Sequence, residues 1–237
     1  MMNISVIKSN LQAFYNNEAE FRNQSEKEPW KINVRNQFLR SILDENKRTL
    51  LEIGAGTGQD SLFFMENGLQ VTAIDLSPAM VAKCREKGID AYQMDVYDIK
   101  LHEVFGDEKF PMEMNHCQKT EDPTKKGFPL KIFDCVWSLN CLLHVPKTDL
   151  PEVLRGVDSV LSENGLFFFG VYGGNDIENE WSRESSDIPR FFSFYTDEPL
   201  QNILRNIFDI ERFESFKTGR GDDFQYAFLR KKRGRVS

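Results

Sequence analysis

The sequence predicts an α/β fold built around one doubly wound, mostly parallel sheet. Short apolar runs have the length and composition of buried strands, and they lie at residues 50–53, 71–74, 89–94, 132–137 and 166–171. Between them, apolar residues recur every three or four positions, as on one face of a helix. Two late runs, 208–216 and 224–230, predict an antiparallel pair. Alternating strands and helices that end in such a pair are typical of a doubly wound sheet.

The helices follow from apolar spacing and from residues that begin or end helices. Ile4, Ile7, Leu11 and Phe14 predict an N-terminal helix, and Pro29 begins a second one that continues to residue 43. The starts of the other helices are predicted from capping residues such as Ser and Thr, and their ends from terminal Gly or Asn. Those helices are predicted over residues 60–67, 78–88, 148–161 and 197–206.

The first strand leads into the sequence LLEIGAGTGQD, in which Gly54, Gly56 and Gly58 predict a tight turn. Glycines let the backbone approach a ligand, and the helix start that follows offers unpaired N–H groups. Asp75 ends the second predicted strand, where a carboxylate can bind both hydroxyls of a ribose. Turn and carboxylate together predict a site for a nucleoside-containing cofactor.

Two details distinguish this turn from a dinucleotide site. The spacing is G-x-G-x-G rather than G-x-G-x-x-G, and Glu52 places a carboxylate where a cationic ligand fits better than a pyrophosphate. The pattern resembles the first motif of class I S-adenosylmethionine-dependent methyltransferases. The resemblance covers roughly residues 50–230 and implies S-adenosyl-L-methionine as the cofactor, which has no phosphate and carries a sulfonium and an amino group. It also implies a seven-stranded sheet of order 3-2-1-4-5-7-6 in which strand 7 is antiparallel.

The resemblance also implies where the cofactor binds. The contacts expected at the strand ends are Glu52, Gly54, Ala55, Gly56, Gln59, Asp60, Asp75, Leu76, Met80, Asp95, Val96, Leu139 and Asn140. Helices ahead of the first strand are expected to cover the pocket, with Tyr15 and Arg35 among the contacts. An arginine there, Arg35 or Arg40, is expected to meet the carboxylate of the cofactor. The alternative for each arginine is a solvated charge on the polar face of a helix.

The residues beyond the fourth and fifth strands are candidates for catalysis and acceptor binding. The run FDCVWSLNCLLHV resembles the fourth methyltransferase motif, which places His144 near the transferred methyl group. His144 is a candidate general base because its ordinary pKa lies near neutrality, and a hydrogen-bonded structural histidine is the alternative. Tyr172, Arg190, Phe191 and Phe194 are predicted to form walls of a substrate pocket in a loop. Alternatively, these aromatic residues close the core beneath that loop.

Composition limits the remaining choices. The 237 residues, 40% of them hydrophobic, suit one domain with an N-terminal helical cap (1–48), a Rossmann-like core (50–230) and a surface insertion (106–131). The net charge of −7 disfavours a nucleic-acid partner. Neither a leader pattern nor a membrane-spanning run is evident, so a cytoplasmic protein without a membrane partner is expected. Neither the cysteines nor the neighbouring His116 and Cys117 have metal-ligand spacing, so no metal is expected; the oligomeric state is left open.

The sequence therefore predicts methyl transfer to a small-molecule acceptor. The cofactor would supply an activated methyl group, so the protein needs mainly to orient a nucleophile and exclude water. One alternative is a tRNA methyltransferase of the wobble-uridine type, because RFFSFYTDEPL loosely resembles the segment after the fifth strand in those enzymes. The acidic charge balance speaks against it. The other alternative is a cofactor-binding protein without activity.

Overall fold

The computed structural model describes residues 3–99, 131–183, 186–219 and 221–234. Within these ranges the main sheet contains β1 (Thr49–Ile53), β2 (Gln70–Asp75), β3 (Asp90–Gln93), β4 (Phe133–Leu139), β5 (Leu161–Gly173), β8 (Phe208–Lys217) and β9 (Asp223–Lys231). A separate pair consists of β6 (Glu178–Arg183) and β7 (Ser186–Ser193). The order of the main sheet is β3-β2-β1-β4-β5-β9-β8, with β9 antiparallel to both of its neighbours. The predicted fold class and strand order are therefore confirmed, with β8 and β9 as the sixth and seventh strands.

The helices lie close to their predicted positions. They are α1 (Ile4–Gln24), α2 (Pro29–Asp44), α3 (Gln59–Glu66), α4 (Pro78–Glu86), α5 (Leu150–Val160) and α6 (Asp197–Arg205). Helix α1 begins where the Asn3 side chain accepts a hydrogen bond from the Ser5 N–H at 3.0 Å. Helix α4 begins at Pro78, after Ser77, whose hydroxyl accepts from the Met80 N–H at 3.2 Å. Local capping chemistry therefore fixes where these two helices start.

Alternate residues of the central strands face opposite layers of helices. On one face, α2 and α3 place Phe38 and Phe64 against Trp137, whose ring stacks on Phe168 with 4.0 Å between centroids. On the other face, α5 packs residues such as Leu154 against Val136 and Phe167. Helices cover both faces of the sheet. Because β1 to β5 run parallel, their carboxyl ends meet at one edge, where an open sheet of this kind binds ligands.

The segment after β5 differs from the prediction. It was expected to be a loop, whereas β6 and β7 form an antiparallel pair, and β7 packs against α1. The charged run ahead of β7 masks the strand pattern in the sequence. The predicted insertion 106–131, with His116 and Cys117, lies outside the described residues except for Lys131. Within the part of the chain that the structure describes, no helix is long and apolar enough to cross a membrane.

Candidate functional site

A cavity of about 460 Å³ lies at the carboxyl edge of the sheet. One side consists of the ends of β1 to β4, which place the predicted cofactor contacts next to one another. The other side consists of α1 and β7, which contribute Tyr15, Arg22, Arg190 and Phe192. A wider depression lies near Arg230, whose guanidinium pairs with the carboxylates of Glu45 and Glu211.

The glycine turn after β1 forms the floor of the cavity. Gly54 and Gly56 have φ values of 70° and 55°, in the left-handed region that favours glycine. The Gly56 N–H donates to Asp75 Oδ2 at 2.8 Å, which ties the turn to the end of β2. A Cβ added at Gly56 would meet no atom within 4 Å. The backbone here therefore borders open space, as a turn that receives a ligand must.

Asp75 is held in a fixed orientation at the end of β2. Its Oδ1 accepts from the Ser77 N–H at 2.9 Å, and Oδ2 accepts from Gly56. Each oxygen keeps further lone-pair capacity for a ligand hydroxyl. Burial raises the pKa of Asp75 to about 6, while the two backbone hydrogen bonds oppose that rise. The carboxylate is thus charged at neutral pH and borders the cavity.

Two further acids of the turn have different environments. Glu52 is 3% exposed and accepts a hydrogen bond from the Ser61 hydroxyl. Burial, followed by the charge of Asp60, raises the pKa of Glu52 to about 8. Asp60 instead accepts from Lys27, from Arg35 at 2.9 Å and from the indole of Trp137 at 3.3 Å. Glu52 is therefore the acid of this pair that a cationic ligand would ionise.

The two arginines predicted to meet the carboxylate of the cofactor, Arg35 and Arg40, do not line the cavity. Arg35 pairs with Asp60, and its guanidinium lies 3.7 Å from the centroid of the Phe63 ring. Arg40 is exposed on the outer side of α2. Helix α2 covers a sheet face and contributes Lys31 alone to the cavity lining, whereas α1 contributes several residues, including Arg22. This corrects the assignment of Arg35 and Arg40, and Arg22 takes their place as the candidate.

The spacing of residues along α1 indicates that Arg22 lies on the same helix face as Tyr15. The residues of α1 that border the cavity include Ile4, Lys8, Leu11, Tyr15, Glu18 and Arg22. They are separated by four or three positions, so they share one face of the helix. Tyr15 was predicted as a contact, and Arg22 lies two turns further along the same face.

The remaining predicted contacts border the cavity from the other strand ends. Leu76 and Met80 follow β2, Asp95 and Val96 follow β3, and Leu139 and Asn140 end β4. Asp95 pairs with Lys8 of α1 at 2.7 Å, which links the helix to the sheet edge. Gln59 likewise donates to the Ser25 carbonyl at 2.9 Å and fixes the segment between α1 and α2. These contacts hold the N-terminal helices against the strand ends.

His144 and Tyr15 form a hydrogen-bonded pair across the cavity wall. His144 Nδ1 lies 2.6 Å from the Phe191 carbonyl oxygen, and Nε2 lies 2.7 Å from the Tyr15 hydroxyl. A carbonyl can only accept, so Nδ1 carries the proton and Nε2 accepts from Tyr15. Burial, together with Arg190 and Arg22, lowers the pKa of His144 to about 4. Its Nε2 lone pair is engaged, so the geometry supports the structural alternative rather than the general base.

The alternation of side chains along β7 decides which of the predicted aromatic residues line the cavity. Tyr172 and Arg190 border the cavity, as does Phe192. Phe191 is 1% exposed and packs with residues of α1, while Phe194 stacks on Phe192 with 5.7 Å between centroids. Successive residues of a strand point to opposite faces, so Phe191 and Phe192 cannot share one wall. The assignment of Phe191 and Phe194 to the pocket wall is corrected, and Phe192 is the residue that was missed.

We expect Phe191→Ala to lower the free energy of unfolding by about 3–5 kcal/mol, because it deletes a buried aromatic side chain. Phe192→Ala, on the partly buried face next to the cavity, should cost less stability. Urea unfolding of both variants and the wild type measures the difference. A larger loss of stability at Phe192 than at Phe191 would contradict the division of roles along β7.

The strand ends, the glycine turn and the oriented carboxylate have the arrangement with which a Rossmann-like sheet binds a nucleoside-containing cofactor. The family model described as "Methyltransferase domain" matches residues 25–207, which is more than half of the chain. The chain therefore belongs to the class I S-adenosylmethionine-dependent methyltransferases, and S-adenosylmethionine is the cofactor of that family. The predicted family and cofactor are confirmed.

Solved structures share this fold at low sequence identity. The 1,6-didemethyltoxoflavin-N1-methyltransferase of Burkholderia thailandensis, with bound 1,6-didemethyltoxoflavin and S-adenosylhomocysteine, is 17% identical with a TM-score of 0.67. The match covers 97% of this chain and 88% of that chain. The N-methyltransferase NodS of Bradyrhizobium japonicum, with S-adenosylhomocysteine, is 14% identical with a TM-score of 0.60 over 92% and 99%. Magnesium protoporphyrin IX methyltransferase of Synechocystis, with bound cofactor, is 14% identical with a TM-score of 0.60 over 98% and 99%. No curated protein matches the chain in sequence.

Proposed function

We propose that this protein transfers a methyl group from S-adenosylmethionine to a small-molecule acceptor held in the same cavity. The observation that carries the proposal is the joint lining of one cavity of about 460 Å³ by the cofactor turn on one side and α1 and β7 on the other. A volume of this order is typical of small-molecule sites. The neighbours whose acceptors are small molecules share this fold.

The residues present fit the cofactor. The open backbone at Gly56 leaves room for the ligand, and Asp75 offers oriented oxygens to ribose hydroxyls. Glu52 suits the ammonium group, and Arg22, which also lines the cavity, suits the carboxylate. When bound, S-adenosylmethionine supplies a methyl group already activated by its sulfonium.

The protein itself has to position the reactants and exclude water. Tyr15 and His144 hold each other in place at the cavity wall, and α1 lies across the strand ends through Lys8 and Asp95. Because α1 and the strand ends form one cavity, we also propose that the cap (1–48) and the core (50–230) act as one domain. Binding by enclosure and orientation is sufficient for methyl transfer to a reactive nucleophile.

The test combines binding with turnover. Calorimetric titration with S-adenosylhomocysteine should show one site, and radiolabelled S-adenosylmethionine with a metabolite library should yield a labelled small molecule. Labelled tRNA with no labelled metabolite would favour the tRNA alternative, which the net charge of −7 disfavours. Cofactor binding without transfer to either class would favour the non-catalytic alternative. Absence of cofactor binding would overturn the proposal.

We expect the affinity for S-adenosylhomocysteine to rise about fivefold between pH 7 and pH 8. Glu52 is mostly protonated below its raised pKa of about 8, and a neighbouring ammonium group favours the carboxylate, so binding releases a proton. Asp75, with a pKa of about 6, is already charged in this range. Calorimetry in two buffers of different ionisation enthalpy should report release of about one proton at pH 7.

Glu52→Gln is the control for this pH dependence. The amide keeps a partner for Ser61 and removes the titration, so affinity should be lower and flat between pH 7 and pH 8. A wild-type affinity that does not change over this range would show that Glu52 does not face the ammonium group.

A further inference from the structure

Three aromatic side chains, Trp181, Phe192 and Phe194, form a strip that leads from the cavity to the protein surface. Phe192 and Phe194 are two positions apart on β7, and their rings are stacked with 5.7 Å between centroids. Trp181 of β6 contacts both rings, with centroid distances of 5.5 Å to Phe192 and 5.0 Å to Phe194. Phe192 borders the cavity, whereas Trp181 is 41% exposed at the surface. These three residues are called the aromatic strip below.

The aromatic strip lies on the more exposed face of the pair formed by β6 and β7. Side chains alternate along a strand, so Phe191 and Ser193 point to the other face, where both are buried. Ile177, whose carbonyl accepts a hydrogen bond from the Phe194 N–H at 2.8 Å, has a side chain that is 44% exposed. An exposed apolar surface next to a cavity is typical of a ligand-binding groove.

The volume of the cavity limits how much of an acceptor it holds beside the cofactor. The cavity measures about 460 Å³. S-adenosylmethionine occupies on the order of 350 Å³ at the packing density of protein interiors. About 100 Å³ is left, which is the liquid volume of roughly three or four water molecules. Only the reacting end of an acceptor fits there, so the rest of a larger acceptor has to lie outside the cavity.

The residues that line the cavity indicate on which side the acceptor leaves it. The chain between α1 and α2 also borders the cavity, and Phe21 near it is 65% exposed. The other lining residues around this segment are mostly charged, namely Glu18, Arg22, Glu26, Lys27, Glu28 and Lys31. Charged groups suit the amino-acid end of the cofactor, whereas aromatic rings suit an apolar acceptor. The aromatic strip is therefore the apolar route out of the acceptor side of the cavity, where β7 lies.

We propose that the methyl acceptor is an elongated planar molecule of at least two rings, whose far ring lies on the aromatic strip; this rests on the proposed methyl transfer. Its nucleophilic end lies inside the cavity, and its far ring extends over Phe192 to Trp181. Contacts between aromatic rings add to the affinity that the burial of apolar surface provides. Trp181 is then a specificity-determining residue, which selects acceptors by length and planarity and takes no part in cofactor binding.

The test compares one-ring and two-ring probes on the protein saturated with S-adenosylhomocysteine. The pairs are phenol with 4-phenylphenol, aniline with 4-aminobiphenyl, and benzoate with biphenyl-4-carboxylate, so that three head groups are covered. Calorimetry should show at least one two-ring probe bound about tenfold more tightly than its one-ring partner. The analogue of that probe in which cyclohexyl replaces the outer phenyl ring should bind more weakly than the probe itself.

Variants of two exposed aromatic residues locate the outer ring. Trp181→Ala should reduce the tenfold gain to about twofold or less, without a change in the affinity for S-adenosylhomocysteine. Trp181→Phe keeps an aromatic ring and should restore most of the gain. Phe21→Ala is the matched control on the charged side of the cavity, and there the gain should remain. A gain that is lost in Phe21→Ala and kept in Trp181→Ala would overturn the proposal.

The indole N–H signals give a readout that does not depend on these affinities. The chain has three tryptophans, Trp30, Trp137 and Trp181, and each contributes one such signal to a nitrogen-edited NMR spectrum. The Trp181 signal, assigned by its absence in Trp181→Phe, should shift with the two-ring probe and stay in place with the one-ring probe. An unchanged Trp181 signal at saturation would overturn the proposal even if Trp181→Ala failed to fold.

Other outcomes would also overturn the proposal. They are equal binding of one-ring and two-ring probes, binding of neither, equal binding of the cyclohexyl analogue, and a gain that Trp181→Ala leaves unchanged. A wild-type protein that sediments as a dimer, with Trp181→Ala as a monomer, would assign the aromatic strip to an interface between copies instead. In each case retained S-adenosylhomocysteine binding would leave the proposed methyl transfer standing, whereas its loss in the wild type would overturn that function.

Discussion

Asp75→Ala should weaken the binding of S-adenosylhomocysteine at least about a hundredfold while the sheet remains folded. A carboxylate that receives two ribose hydroxyls makes two charge-assisted hydrogen bonds, each worth about 1.5–3 kcal/mol, so their loss costs about 3 kcal/mol or more. The same change removes the acceptor of the Gly56 N–H, which loosens the cofactor turn. Titration calorimetry on the variant, after circular dichroism has shown that it is folded, measures the effect.

Asp134→Ala is the matched control for this prediction. Asp134 also accepts two backbone N–H groups, from Arg48 at 2.9 Å and Thr49 at 3.0 Å, but it lies at the amino end of β4, away from the cavity. Its loss should reduce stability without changing the cofactor affinity. A folded Asp75→Ala variant with the dissociation constant of the wild type would exclude Asp75 from the site.

The strand order and the glycine turn could be predicted because local signals agree with the global fold. Apolar runs, capping residues and the spacing from Gly54 to Asp75 each depend on a few neighbouring residues. Gln59 follows the turn, but its hydrogen bond to the Ser25 carbonyl joins segments 34 positions apart and has no local signal. Local signals therefore predict which residues lie at the strand ends, but not the long-range contacts that close the cavity.

The acceptor side depends on packing that the sequence does not encode locally. Arg22 and Arg35 both lie on amphipathic helices, and only the packing of α1 across the strand ends decides which of them meets the cavity. Similarly, the side chains of Phe191 and Phe192 could point to the same side in a loop, but in β7 they point to opposite sides. His144 lies at the cavity wall, and its hydrogen bond there depends on Tyr15, which is 129 positions away.

Gly56→Val should abolish detectable binding of S-adenosylhomocysteine. A Cβ at this position meets no protein atom within 4 Å, so the valine methyl groups would extend into the space that the ligand needs. The φ of 55° adds backbone strain of about 1–3 kcal/mol for a branched residue, so the variant should also be less stable than the wild type. Calorimetry at a temperature well below the unfolding midpoint of the variant measures binding apart from this loss of stability.

Gly88→Val separates the effect of backbone strain from that of filling the ligand space, because it creates the same kind of strain away from the turn after β1. Gly88 has a φ of 78°, and an added Cβ there also meets nothing within 4 Å, but it lies at the end of α4. Both variants should unfold at lower temperature, and only Gly56→Val should lose the stabilisation that S-adenosylhomocysteine gives the wild type by mass action. If both variants kept that stabilisation, the turn after β1 would not be the cofactor site. If both lost it, strain rather than occupied space would be the cause.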